Sequence, residues 1–399
     1  MSISMTRAKS GMRPTAFYPR LKELSQTGEW VHWAGYKSPM TLESVELEYF
    51  AIRSNATVFD ISPMCKYRIT GPDAAEYMNR LVTRDVRKIK NNRVAYTVWC
   101  NDEGFILDDG TIFRFGENDF RLCCQERQFD WLSSAAIGFD VKIVDETDNV
   151  SAIQFQGPTT CWFLKRIGLK GIENLKPFDL AHFEWEDTQI MVSRTGFTGD
   201  LGYEVWVDPE YALRLWDQLF GLSKERNIRA IGSAALDLAR IEAGFLLPNV
   251  DFISADYALR STRGRSPFEM GLDWLVDFNK GHFNGRRALL ARTQNGGDVY
   301  NFVGFEIDGN KPAHNALIYS KKRKEVGYFT SAMWSPTLKS NIGMALINRK
   351  ALEKGGDGLW AEIYLQKELK WDRSWAKLKL VDRPFFKNKR RGLTPPADT

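Results

Sequence analysis

Long apolar runs are missing from this 399-residue sequence. No window approaches the roughly 18 apolar residues needed to span a bilayer, so an integral membrane protein is not expected. Cysteine is sparse: Cys65, Cys100, Cys123, Cys124 and Cys161 form no CxxC pair, and Cys123 and Cys124, adjacent on a strand, would point to opposite faces. That pattern fits reduced thiols in a cytoplasmic setting. The four histidines, His32, His182, His282 and His314, have no paired spacing, so neither a structural zinc nor a histidine-based metal site is expected. No GxGxxG and no Walker-type glycine loop occurs, which argues against a dinucleotide or nucleoside-triphosphate site. Charge of one sign is lacking too. The 55 basic and 50 acidic residues interleave to a net +5, and no dedicated nucleic-acid surface is expected.

What is present is the composition of a soluble globular protein, 43% hydrophobic and 26% charged, long enough for about two or three domains. Residues 1–30 carry Arg7, Lys9, Arg13, Arg20 and Lys22 before the first acid, Glu23, as a transit peptide would, but Pro14 and Pro19 would break its helix. The segment is read as a loose N-terminal arm. At the other end, Lys387-Asn388-Lys389-Arg390-Arg391 precedes Pro395-Pro396, so 386–399 reads as a solvated basic tail.

Period-two alternation predicts strands at Tyr67–Thr70, Val94–Trp99 and Thr111–Phe115, with a short helix opening after Gly71-Pro72-Asp73 and running through Leu81. Ala212, Leu215, Trp216, Leu219 and Leu222 recur at helical spacing after Pro209, in a helix expected to end near Asn227. A second helix is expected from Ser233, as N-cap, to Gly244. Short strands return at Val326–Thr330, Asn341–Leu346 and Leu359–Tyr364, predicting a separate barrel-like domain over about 300–385. The fold class is therefore α+β.

Two segments carry candidate chemistry. Ser193 through Val207 joins a turn containing Gly196, Gly199 and Gly202 to a strand whose pleat puts Glu204 and Trp206 on one face. Glycines let backbone approach a flat ligand, and a carboxylate can accept paired N–H donors from a heterocycle. The same segment also reads as a hairpin with Glu204 in water. Asp108-Asp109-Gly110 follows a strong turn at Asn101–Gly104, and the pleat sends one carboxylate inward, where it needs a partner or a ligand. A plain turn is the competing reading. Arg240 in the last turn of its helix complements the dipole and pairs with Asp237, and Tyr96 sits on a strand face with Val94 and Val98.

Taken in order, Trp33–Tyr36, Val58–Ser62, Val82–Val86, Asn101–Asp109, Phe155–Pro158, Arg194–Glu204, Arg240–Gly244, Phe283–Leu289, Ser335–Leu338 and Ile342–Ala345 resemble the glycine-cleavage T-protein (aminomethyltransferase) family. That group includes tetrahydrofolate-dependent demethylases, and the likeness spans roughly residues 33 to 346. It implies a three-domain cloverleaf: a folate-binding region over 31–295 built of two interleaved α+β subdomains, and a C-terminal β-barrel over 300–385. The implied cofactor is tetrahydrofolate. The resemblance assigns Asp108 as the catalytic carboxylate, Glu204 as the pterin-binding acid, Tyr96 as pocket lining and Arg240 as a residue near the ligand, and Phe197 and Trp206 complete the wall.

The implied reaction moves a methyl or aminomethyl carbon from a small donor to folate, with a lipoyl carrier protein as a further candidate partner. The runner-up is demethylation of a methylated sulfonium, amine or methoxyaromatic compound. A non-catalytic folate-binding accessory role is the third reading, although the Gly-Cys-Tyr motif of that branch is absent. The sequence departs from the family at Phe197 in place of tyrosine, at Ser62-Pro63-Met64, at Cys123-Cys124-Gln125, at Leu236-Asp237, and in a longer loop carrying Arg260, Arg263 and Arg265.

Overall fold

The computed structural model describes residues 11–296, 298–321, 323–353 and 358–395. Two mixed-content layers face each other, and a closed barrel joins them. The first layer is a six-stranded sheet in the order Leu180–Trp185, Thr188–Ser193, Gly202–Val207, Ser151–Gln156, Ala56–Asp60 and Ile228–Ala230, of which the last pair is parallel. The second is a five-stranded antiparallel sheet in the order Arg93–Cys100, Ile106–Gly116, Asp119–Cys124, Cys65–Thr70 and Lys142–Asp145. The barrel is closed by six strands between Tyr300 and Val381, as expected for this stretch, and full closure removes the exposed sheet edges of a small β domain.

Alternation explains how the layers meet. In Gly202–Val207, Tyr203 and Val205 pack into one apolar cluster, while Trp206 turns the other way into a cluster shared with the five-stranded sheet. There Trp206 meets Phe113 edge to face at 5.1 Å, a favoured aromatic geometry that fixes the spacing of the two sheets. Cys123 enters the same shared layer and Cys124 the opposite core, the split the pleat requires. Two helices seal the layer, Val45–Ser54 and Ser233–Glu242, contributing Tyr49, Ile52, Ala235 and Ala239. The first is capped by Ser44, whose hydroxyl accepts from the Leu47 amide at 3.2 Å. Among the described residues no helix is long and apolar enough to cross a membrane.

Four local expectations need correction. The second helix starts at Ser233 with Gly232 as N-cap, and no side chain caps it. The helix after Pro209 is α only over Ala212–Gly221, then tightens to a 3-10 turn at Leu222–Lys224. The N-terminal arm is not loose over its described part: Tyr18–Leu24 is helical, and Phe17 and Leu21 are fully buried in the core behind the six-stranded sheet. The basic run is exposed as expected, with Lys387, Lys389, Arg390 and Arg391 all open to solvent, but it is not a free tail. Arg390 pairs with the buried Asp200 at 2.9 Å, and the Arg194 guanidinium donates to the Arg391 carbonyl at 3.3 Å. The chain end is thereby tied onto the glycine-rich turn.

Candidate active site

The Asp108-Asp109 pair lies inside the continuous strand Ile106–Gly116, so the plain-turn reading fails. Register decides where each carboxylate goes. Asp108 is opposite Trp99, which belongs to the core behind the five-stranded sheet, and accepts from the Asp109 amide at 2.9 Å and the Glu126 amide at 3.2 Å. Asp109 is opposite Val98, on the face that carries Tyr96, and its carboxylate accepts the Tyr96 hydroxyl. The resemblance sets Asp108 beside the ligand, whereas Asp109 is the acid of the pair that shares a face with Tyr96. Burial raises both above the ordinary carboxylate range, the charge of Asp109 adds to the rise at Asp108 and that of Asp251 to the rise at Asp109, and the Tyr96 hydrogen bond draws Asp109 part of the way back.

Glu204 faces the inter-sheet layer. Its Oε2 accepts from the Thr195 hydroxyl at 2.7 Å and from the Ser193 hydroxyl at 3.4 Å, and burial pushes its carboxyl up to about 7 against the opposing pull of those hydroxyls and of the Gln154 side chain. Directly across on the neighbouring strand sits Gln154, whose buried Oε1 has no hydrogen-bond partner among the described residues. A buried amide oxygen without a donor is costly, and here it lies beside a carboxyl that burial makes hold its proton more tightly than usual. Donors supplied by a ligand would satisfy both. The alternation of Gln154 and Gln156 with Ile153 and Phe155 is the signal in the sequence that marks this residue.

The glycines of the wall do a different task from the one expected. A Cβ on Gly196 or on Gly202 would come within 2.1 Å and 2.3 Å of the Gln156 side chain. That amide bonds the Thr195 and Tyr203 carbonyls and accepts from Thr198, so the close approach is to a protein side chain that braces the turn. Trp206 is packed on Phe113 and donates to Ser193 Oγ at 3.3 Å, making it a support for the wall. Phe197 is half-buried and stacks on Phe245 at 5.5 Å and 17°. Leu238 packs on both the Tyr96 side and the Trp206 side, joining the two halves of the layer.

Arg240 is not placed for a ligand. Its guanidinium donates to Asp237, the Phe245 carbonyl, Asp251 at 2.5 Å and Ser331 at 2.7 Å, linking its helix to the barrel. Two surface cavities, about 270 Å³ beside Arg13 and Tyr36 and about 220 Å³ beside Gly199 and Phe386, are lined by neither Asp109 nor Glu204. Trp274, 62% exposed, has its ring centroid 6.2 Å from that of Tyr96. No group of metal-ligating side chains able to hold an ion is found among the described residues.

Two facing sheets closed by a C-terminal barrel define the T-protein fold. The structure superposes on the glycine cleavage system aminomethyltransferase T of Bartonella henselae with a TM-score of 0.82 at 24% identity, covering 94% of this chain and 99% of that one. The sequence is more specific. Residues 12–280 match the GCVT N-terminal domain and residues 301–387 the glycine cleavage T-protein C-terminal barrel domain, so the chain belongs to the glycine-cleavage T-protein family. Among its relatives, an aminomethyltransferase of Thermoanaerobacter pseudethanolicus is 32% identical over 334 residues, 82% of this chain and 88% of the relative. Another, from Thermotoga maritima, is 30% identical over 352 residues, 87% of this chain and 92% of the relative.

Proposed function

We propose that this chain is a tetrahydrofolate-dependent one-carbon transferase that receives a methyl or aminomethyl carbon from a small donor. The observation that carries the reading is the pairing of Glu204 with the donorless Gln154 oxygen on one wall of the inter-sheet layer. Adjacent N–H groups on the edge of a reduced pterin suit that acceptor pair, since a carboxylate takes two parallel donors more strongly than neutral groups do. When bound, tetrahydrofolate would supply the nucleophilic nitrogen that accepts the one-carbon unit.

The protein's share is position and charge. Thr195 and Ser193 hold one oxygen of Glu204, leaving the carboxylate aimed by its own strand. Tyr96 holds Asp109, whose raised affinity for a proton near neutrality suits it to take or return one as charge develops nearby. Phe197 and Leu238, both half-buried, give the layer its apolar lining.

Titration of the wild-type protein with tetrahydrofolate, followed by protein fluorescence, tests the reading against Glu204→Gln. Losing a charge-assisted hydrogen bond of about 1.5–3 kcal/mol should weaken binding by about ten- to a hundredfold. Equal affinity of the two proteins, or no binding by the wild type, would overturn it. Separating methyl- from methylene-tetrahydrofolate after incubation with methylated amines, sulfonium compounds and methoxyaromatics tells demethylation from aminomethyl transfer.

A further inference from the structure

Arg240 is fully buried and Arg383 partly buried, and only the first has its charge matched by acids. Arg383 follows the last barrel strand, and three glycines from separate segments make room for it. A Cβ on Gly244 would lie 3.0 Å from its Cβ, one on Gly304 3.0 Å from its Cγ, and one on Gly271 3.1 Å from its Nη2. Nη2 donates to the Phe302 carbonyl at 3.1 Å and the guanidinium lies 4.4 Å over the Phe302 ring. Among the described residues no acidic side chain forms an ion pair with it, and Nε and Nη1 make no hydrogen bond to protein. Burial pulls it down to about 10, with Asp251 and Tyr96 close enough to oppose that drop.

A partly buried guanidinium with one carbonyl partner and no ion pair keeps N–H donors free on an accessible edge, where a ligand can supply the counter-ion. The nearby acids narrow the choice. Asp109 and Asp251 lie on the same side of the molecule as the Tyr96 hydroxyl that Arg383 feels, and they disfavour a multiply charged anion such as a phosphate. A planar monoanion can be taken through the free edge of the guanidinium as a paired set of hydrogen bonds.

We infer that Arg383 reads a carboxylate carried by a ligand of this site, either on the one-carbon donor or on the glutamate tail of the folate. The inference rests on the folate-dependent reading above and adds the charge class of what binds beside Tyr96.

The test compares wild type with Arg383→Met in two pairs of probes. The first pair is N,N-dimethylglycine and dimethylamine, the same type of amine with and without a carboxylate, read by thermal shift without folate. The second is tetrahydrofolate and tetrahydropteroate, which lacks the glutamate, read by fluorescence titration. The expected result is a loss of about tenfold or more for the carboxylate member of at least one pair, with its carboxylate-free counterpart unchanged. Loss in the amine pair assigns the donor, and loss in the folate pair assigns the tail. Equal affinity of both proteins for both carboxylate members overturns the inference. If tetrahydrofolate fails to bind the wild type, the proposed function falls while the amine pair still reports on Arg383. If Arg383→Met does not fold, Arg383→Lys, which keeps the charge and loses the fork, carries the same comparison with a loss of about threefold.

Discussion

Two buried polar regions of this molecule contain similar residues and are wired in opposite ways. In the clamp between the Ser233–Glu242 helix and the barrel, every charge has its partner. Asp251 accepts from Arg240, Thr330, Ser331 and the Leu247 amide, and Glu242 accepts from Tyr49, Arg53 and Ser335. In the inter-sheet layer, Glu204 has hydroxyl donors on one oxygen and no cation, Gln154 lacks a donor, and Asp109 has one tyrosine. A saturated network rigidifies the fold, whereas an underfilled one leaves capacity for a ligand.

Removing a partner from the clamp should break this contrast most strongly. Arg240→Met strands the buried Asp251 and is expected to lower stability by about 3–5 kcal/mol in urea unfolding, with little change in tetrahydrofolate affinity relative to folded protein. Glu204 should show the opposite character in its pH dependence. Its carboxyl binds a proton more tightly folded than unfolded, so its contribution to ligand-free stability is complete below about 4.5 and is lost as pH rises to about 7. The stability of wild type relative to Glu204→Gln should fall by about 3 kcal/mol across that window. A flat difference would mean that the acid is not desolvated.

Asp109→Asn keeps an oxygen for Tyr96 and is expected to cost about a hundredfold in turnover with stability within about 1 kcal/mol of wild type. Asp108→Asn serves as its control, because Asp108 accepts backbone amides on the far side of the strand. A larger kinetic loss at 108 than at 109 would support the family-based assignment. The smallest effects separate the glycines. Gly196→Ala should cost about 1–3 kcal/mol by displacing Gln156, while Gly221→Ala, with nothing within 4 Å of the added carbon, should be neutral or stabilise by up to about 1 kcal/mol.

Much of this was legible in the chain itself. The C-terminal barrel, the helix through Leu81, and the shared face of Glu204 and Trp206 follow from periodicity and turn residues, which act over a few neighbours. Legibility failed where a residue's role depended on a distant segment. The exposed basic run near 390 gave no sign of its tether because nothing local announces that Asp200 lies beside it, and the wall glycines looked open because Gln156 is about forty residues away.

Alternation alone determined that Asp108 and Asp109 must face opposite sides of a strand, since successive side chains on a pleated backbone point apart. It could not say which side was the inter-sheet layer. That was decided only when the five-stranded sheet paired Val98 with Asp109 and laid Phe113 against Trp206. The same holds for the arginines: sequence placed Arg240 on a helix end beside Asp237, while only folding joined it to Ser331 of the barrel and left Arg383 without an acid. Local geometry sets the direction of a side chain, while the charge that meets it comes from parts of the chain brought near by folding.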